Sequence, residues 1–233
     1  MREAPRVVLA AVFVTALVTA QLLAVKVLGL SLPYRLPVVG GSVLVPAGVV
    51  AYALTFFATD CYAELYGRWS ATVLVNIGFA MNFVMLGLVW LAIRLPGSGA
   101  GVDPAAFSQV LAPSTNIVIG GLLAYILSQN LDVITFDSLR VRTQGDYLWL
   151  RNLVSTATSQ LVDTSIFIAV AFWAVPRLLG FGQAEAGFVL LQLVVGQYLV
   201  KLLLAVLDTP LVYLVVRYVR DIDPATRTQA RSF

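Results

Sequence analysis

The chain has 233 residues, of which 60% are apolar and 12% are charged. Soluble domains run about 45–50% apolar and about 25% charged, so we expect the excess apolar surface to face a lipid bilayer. The single cysteine excludes a disulfide framework, and the absence of histidine excludes histidine-based catalysis. A net charge of only +3 is too diffuse for direct nucleic-acid binding. Composition therefore indicates a polytopic membrane protein.

Apolar segments of membrane-spanning length recur along the chain. A spanning helix needs about 20 apolar residues, and the segments that meet this are 7–31, 43–62, 71–93, 115–136, 153–175 and 187–218. The sequences between them have the Pro-rich, Gly-rich or charged composition of loops. The runs lack the alternation of barrel strands. We predict an all-α membrane protein, a bundle of six transmembrane helices in one integral-membrane domain, 1–233.

Loop arginines predict the orientation of this bundle. One side carries most of them: Arg2, Arg6, Arg68, Arg140, Arg142, Arg151, Arg217, Arg220, Arg227 and Arg231. The other side has Arg35, Arg94 and Arg177. Because basic loops stay in the cytoplasm, we expect both termini to be cytoplasmic. An even number of spans agrees with that.

Polar side chains inside the predicted spans are the candidate functional groups. They are Gln21, Asp60, Glu64, Gln129, Asp132, Gln160, Asp163, Gln197, Lys201 and Asp208. An ionisable group in a span costs roughly 2.5–3.5 kcal/mol on insertion scales, so such groups normally face an interior or a wet cavity. Helical rise places Gln21, Asp163 and Lys201 near the bilayer midplane. A polar constellation that runs from the centre to one face predicts a transporter.

Some of these charged residues could stabilise the fold and not bind a substrate. Asp60, Glu64 and Arg68, spaced four apart, fit a salt-bridge network at a helix end as well as a binding site. A pair between Asp163 and Lys201, which lie at similar depth, would neutralise both. The chain has no phosphate-binding loop, so it does not itself hydrolyse ATP. No cofactor or metal site is predicted, and passive and ion-coupled transport both remain open.

Two sequence blocks resemble a known family. Residues 59–67, TDCYAELYG, resemble the T-D-x-x-x-E-x-Y-G signature of the queuosine-precursor transporters, also called the vitamin-uptake transporter family. Residues 128–164 contain S-Q-x-x-D, then W-L-R-N, then S-T-x-x-S-Q-x-x-D-T, and look like that family's second pattern. With the six-span layout, the resemblance extends over nearly the whole chain.

The resemblance implies a function in tRNA modification. The family imports 7-deazaguanine bases, such as the 7-cyano and 7-aminomethyl derivatives or queuine, through the plasma or inner membrane. We therefore expect a transporter, not an enzyme, that works as a secondary transporter on a small purine-like substrate. The alternative is a substrate-binding membrane subunit of an energy-coupling-factor vitamin importer. The sequence leaves open whether the chain forms a homodimer.

The candidate residues make chemical sense for such a substrate. A deazaguanine presents N1–H and a 2-amino group as adjacent donors, which one carboxylate accepts together, and an O6 acceptor. We expect Asp163 or Asp60 to read the donor edge, and Lys201 or Arg151 to balance charge. The full predicted substrate-binding set is Asp163, Gln160, Asp60, Glu64, Gln21, Gln129, Asp132, Arg151, Asn152 and Lys201.

Overall fold

The structure is a computed structural model that describes residues 4–36, 39–143 and 148–222. Its contacts divide the chain into two compact units, which are described separately. Unit 1 comprises Met1–Leu28, Pro46–Leu111 and Leu199–Phe233, and unit 2 comprises Gly29–Val45 and Ala112–Tyr198.

Helices make up most of the described chain. In order they are α1 Ala4–Leu23, α2 Val49–Tyr66, α3 Arg68–Arg94, α4 Pro104–Leu111, α5 Ser114–Arg142, α6 Leu148–Ala169, α7 Val175–Leu179 and α8 Gly187–Ile222. A π-helical turn, Val170–Ala174, joins α6 to α7, and strands β1 Val27–Leu36 and β2 Gly40–Pro46 follow α1. The predicted all-α membrane class is confirmed.

Five helical segments in the described part of the chain are long and apolar enough to cross a membrane. They are Ala4–Leu23, Arg68–Arg94, Pro104–Leu131, Val154–Leu179 and Gly187–Asp221. The segment predicted as the second span, 43–62, is not among these five. Its helix α2 has 18 residues and contains both Asp60 and Glu64.

A β-hairpin replaces the end of the first predicted helix and the start of the second. The sequence predicts helix over 7–31, but α1 ends at Leu23 and β1 pairs with β2. Likewise α2 begins at Val49 rather than at residue 43. Gly29 and Pro33 disfavour helix in β1, and in β2 the β-branched Val43 and Val45 are buried while Leu44 is less so. That alternation is the period of a strand.

Unit 1 packs α1, α2, α3 and the end of α8 around one apolar core. Its most buried members include Leu17, Ala58, Cys61 and Leu65. Gly78 lets α3 approach α1 closely, since a Cβ there would lie 2.5 Å from the Phe13 ring. The core therefore holds the C-terminal half of α2 in a fixed position.

Unit 2 packs α5 against α6 and its π-helical turn. Gly120 permits the close approach, because a Cβ there would lie 2.8 Å from the Ala171 Cβ. The hairpin packs on α8, where a Cβ at Gly196 would lie 2.2 Å from the Leu44 carbonyl oxygen. The contact at Gly120 brings α5 close to the end of α6, and these two helices carry the S-Q-x-x-D motifs.

Candidate functional site

Gly67 ends α2 and sets the start of α3. Its φ of 86° and ψ of 156° lie in a region that L side chains rarely adopt. Its N–H donates to the Ala63 carbonyl at 2.9 Å, which closes the last turn of α2. The chain then re-enters a helix at Arg68. The glycine of the T-D-x-x-x-E-x-Y-G motif therefore makes a tight joint that keeps Arg68 beside the end of α2.

A pocket of about 470 Å³ opens between α2, the start of α3 and α8, all within unit 1. We call it the α2–α8 pocket, and its polar lining consists of Asp60, Glu64, Arg68, Thr209, Tyr213 and Arg220. Asp60 and Glu64 line the same pocket, as their spacing of four residues predicts. The volume lies within the range of about 300–1,000 Å³ found for small-molecule sites.

An ion pair at this pocket joins α8 to α2. Arg220 Nη2 lies 2.7 Å from Glu64 Oε1 and donates to the Glu64 backbone carbonyl at 3.1 Å. The Glu64 side chain is 57% exposed, so solvent screens the pair. The pocket thus combines acceptors for a donor-rich ligand with guanidinium donors.

Two other predicted residues of unit 1 are buried outside this pocket. Gln21 is 6% exposed on α1, and Lys201 is 6% exposed on α8. Lys201 Nζ lies 6.0 Å from the centroid of the Tyr52 ring, at the outer limit of a cation–π contact. Tyr52 in turn packs edge-on against Phe56, with ring centroids 5.1 Å apart. A buried lysine beside an aromatic ring is thus a second polar feature of this unit.

Unit 2 has its own polar group, the α5–α6 polar cluster of Ser128, Gln160, Asp163 and Thr164. Ser128 Oγ donates to Asp163 Oδ1 at 3.2 Å, which links the two S-Q-x-x-D motifs across the helix pair. Gln160 Oε1 and Thr164 Oγ1 are buried with no hydrogen-bond partner. An unsatisfied buried polar atom costs about 1–3 kcal/mol. These two atoms therefore mark a place where a ligand or water would be favoured.

The remaining predicted residues are exposed or lie outside the described side chains. Gln129 is exposed on α5, although its neighbour Ser128 is buried. The side chains of Asp132, Arg151 and Asn152 are outside the described part of the structure. The structure therefore places Asp60 and Glu64 in one pocket and pairs Asp163 with Ser128. Gln160 lies one turn before Asp163 on α6, and Gln129 is exposed.

Sequence reasoning missed three polar residues. Asn82 on α3 is 1% exposed and its Oδ1 has no hydrogen-bond partner. Asn116 on α5 is 2% exposed and donates from Nδ2 to the Phe181 carbonyl at 2.5 Å. An asparagine in an apolar span indicates a candidate polar site as strongly as the glutamines in the predicted spans do. The sequence around Arg220 does not indicate that this residue lines a site, because its partner Glu64 is 156 positions away in the chain.

Long apolar helices that carry buried amides, a buried lysine and pocket-lining carboxylates are typical of multi-pass membrane proteins that transport solutes. Residues 46–215 match the family model described as "Putative vitamin uptake transporter". The chain belongs to the vitamin uptake transporter family, whose members are transporters and not enzymes. The resemblance seen in the sequence motifs is thereby confirmed.

One curated relative adds a substrate name. A protein of Bacillus subtilis (strain 168), named "Probable queuosine precursor transporter", is 36% identical over 171 residues. The match covers 71% of this chain and 69% of the relative. No solved structure is significantly similar to the chain.

Proposed function

We propose that this protein imports queuosine precursors, 7-deazaguanine bases such as 7-cyano-7-deazaguanine, through the cell membrane as a secondary transporter. The observation that carries the proposal is the 36% identity to the Bacillus subtilis protein named as a transporter of such precursors. The residues matched by the family model, 46–215, include Asp60 and Glu64 on α2 and the S-Q-x-x-D motifs on α5 and α6. Because the chain lacks a phosphate-binding loop, it does not itself hydrolyse ATP.

The α2–α8 pocket suits one edge of a deazaguanine. A carboxylate accepts N1–H and the 2-amino group together, and a guanidinium donates to O6, the logic by which side chains read base edges. Asp60 supplies the carboxylate, and Arg68 or Arg220 supplies the donor. Tyr213 adds an aromatic ring on which a flat heterocycle can stack.

The α5–α6 polar cluster offers a second reader of the same edge. Asp163 is half-buried and already accepts one hydrogen bond from Ser128. The buried oxygens of Gln160 and Thr164 beside it lack partners. We propose Asp163 and Asp60 as the two candidate edge readers, and the buried oxygens of Gln160 and Thr164 would accept further hydrogen bonds from the ligand or from water.

Uptake by carboxamide variants tests this proposal. Cells that cannot synthesise the precursor would receive 7-cyano-7-deazaguanine, and queuosine in their tRNA would be measured. We expect Asp163→Asn or Asp60→Asn to reduce uptake more than about tenfold, because an amide cannot accept both donors of the substrate edge and the lost bonds are worth about 1.5–3 kcal/mol each.

Asp103→Asn is the matched control. Asp103 lies in the exposed turn before α4, where its Oδ2 accepts the Ala106 N–H at 3.0 Å, and an asparagine oxygen can replace it there. Wild-type uptake is expected for this variant. Wild-type uptake by both Asp163→Asn and Asp60→Asn, at matched expression, would exclude these carboxylates as edge readers.

The family description, vitamin uptake, also supports one alternative function. A substrate-binding membrane subunit of an energy-coupling-factor importer would also bind such a base in its helices. It would not move the base without a separate ATPase module. Flux through the purified chain alone therefore separates the two functions.

A further inference from the structure

A second cavity lies in unit 1 between α1 and α3, away from the α2–α8 pocket. Its volume is about 470 Å³. We call it the α1–α3 groove, and its lining includes Arg6, Ala10, Val14, Trp69, Ser70 and Ile77. Nothing in the proposed transport function uses it.

Among the described residues that line the groove, the polar groups lie at one end. Arg6 Nε donates to the Tyr62 hydroxyl at 3.0 Å, and its guanidinium carbon lies 5.7 Å from the Tyr66 ring centroid. Trp69 and Ser70, in the first turn of α3, line the same end. Trp69 is 80% exposed, as an aromatic residue at a membrane–water interface is. Arg6 is thus held at the interfacial mouth of the groove.

The rest of the groove is apolar and continues toward the middle of the helices. From Arg6 to Val14 along α1, the helical rise gives about 12 Å. One leaflet of the hydrocarbon core is about 15 Å thick. Val7 at the mouth and Ile77 at the inner end are 61% and 49% exposed. The groove therefore has the length and the outward opening that an acyl chain needs.

We propose that the α1–α3 groove binds one phospholipid with an anionic headgroup. The phosphate lies at Arg6 and the Ser70 hydroxyl, and one acyl chain lies along Ala10, Val14 and Ile77. Charge complementarity favours this occupant, because the described lining residues place a guanidinium at the mouth of the groove and hydrocarbon along the remainder. A soluble phosphate would leave the apolar length unfilled, and a water-soluble peptide would not reach it in a bilayer.

Lipid titration followed by native mass spectrometry tests the assignment on the purified full chain. Phosphatidylglycerol is expected to bind, and phosphatidylcholine and glycerol 3-phosphate are expected to bind more weakly. Arg6→Gln should weaken phosphatidylglycerol binding about fivefold, the effect of one basic residue at an anionic surface. Arg94→Gln is the control, since Arg94 ends α3 at its opposite terminus. Equal binding by wild type and Arg6→Gln would overturn the proposal.

Ala10→Phe is a second variant that fills the groove and leaves Arg6 in place. It should lose bound phosphatidylglycerol and still elute as the wild type does in size exclusion. If Ala10→Phe instead converts a dimer to a monomer, a second copy of the chain occupies the groove and the proposal is wrong. Glycerol 3-phosphate binding as tightly as phosphatidylglycerol would also overturn it, because the acyl chain would then contribute nothing.

Discussion

Gly67 and the ion pair of Glu64 show how single residues shape the α2–α8 pocket. Gly67 stops α2 with a positive φ, and Arg220 holds the end of α8 against the last turn of α2. The spacing of Asp60 and Glu64 was enough to predict that they share a face. The sequence could not indicate Arg220 as the partner, because the contact joins residues far apart in the chain.

Gly67→Ala should destabilise the protein by about 1–3 kcal/mol, because alanine is strained at a φ of 86°. Thermal unfolding in detergent would measure the loss. Gly87→Ala in α3 is the control, since a Cβ there meets nothing within 4 Å. That substitution should stabilise the helix by about 0.5–1 kcal/mol. Equal melting temperatures for the two variants would contradict the strained joint.

The Glu64–Arg220 pair should contribute little to stability, since solvent reaches both side chains. A double-mutant cycle with Glu64→Gln and Arg220→Gln is expected to give a coupling of about 0.2–1 kcal/mol in the free energy of unfolding. A parallel cycle that replaces Arg217, one turn earlier and exposed, should give a coupling near zero. A coupling above about 2 kcal/mol would show that the pair is desolvated, against the 57% exposure of Glu64.

Helix pairing in unit 2 depends on one small residue of α5. Gly120 sits where α5 contacts the π-helical turn, and Gly121 faces open space. Pro176, at the start of α7, has no N–H to donate to the preceding turn, and the Phe172 carbonyl of that turn accepts the Glu185 N–H at 2.8 Å instead. Hydropathy identified both helices, but it could not show this irregular turn. The β-hairpin was missed for a related reason, because apolar content alone does not separate a buried strand from a helix end.

Gly120→Ala and Gly121→Ala form a matched pair on adjacent positions. A Cβ at residue 120 would lie 2.8 Å from the Ala171 Cβ and 3.1 Å from the Phe167 carbonyl oxygen, so α5 and α6 must separate. We expect a loss of about 1–3 kcal/mol for Gly120→Ala and no loss for Gly121→Ala. Unfolding in detergent would report both values, and a stable Gly120→Ala protein would mean that the helices are not in close contact there.

At the scale of the whole molecule, three parts of unit 1 meet at one end. Arg6 near the N-terminus contacts α2 at Tyr62, and Arg220 near the end of α8 contacts Glu64. Both contacts lie in the last turns of α2, so the start of α1 and the end of α8 share one end of this unit. An arrangement with both ends on one side is what an even number of spans requires, and the cytoplasmic side of the membrane stays a prediction from the loop arginines. The amino-acid composition was enough to predict a membrane protein, and the two sequence motifs were enough to predict its family.

Cysteine labelling tests this orientation directly. Native Cys61 is 0% exposed and should give little background with a membrane-impermeant maleimide. We expect Ser98→Cys, in the exposed segment after α3, to label in intact cells. Asp221→Cys, at the end of α8, should label only after the membrane is opened. The reverse pattern would invert the predicted topology.

Transport by the purified chain alone is the most direct test of the central claim. The protein would be reconstituted in vesicles without nucleotide or any partner, and entry of 7-cyano-7-deazaguanine would be followed with and without proton and sodium gradients. We expect this base to enter the vesicles, and we expect vitamins that do not resemble guanine to stay outside. Binding of the base without any entry would contradict autonomous transport and favour a subunit of a larger importer. If the folded protein in these vesicles shows no binding and no entry of the base, the proposed substrate is wrong.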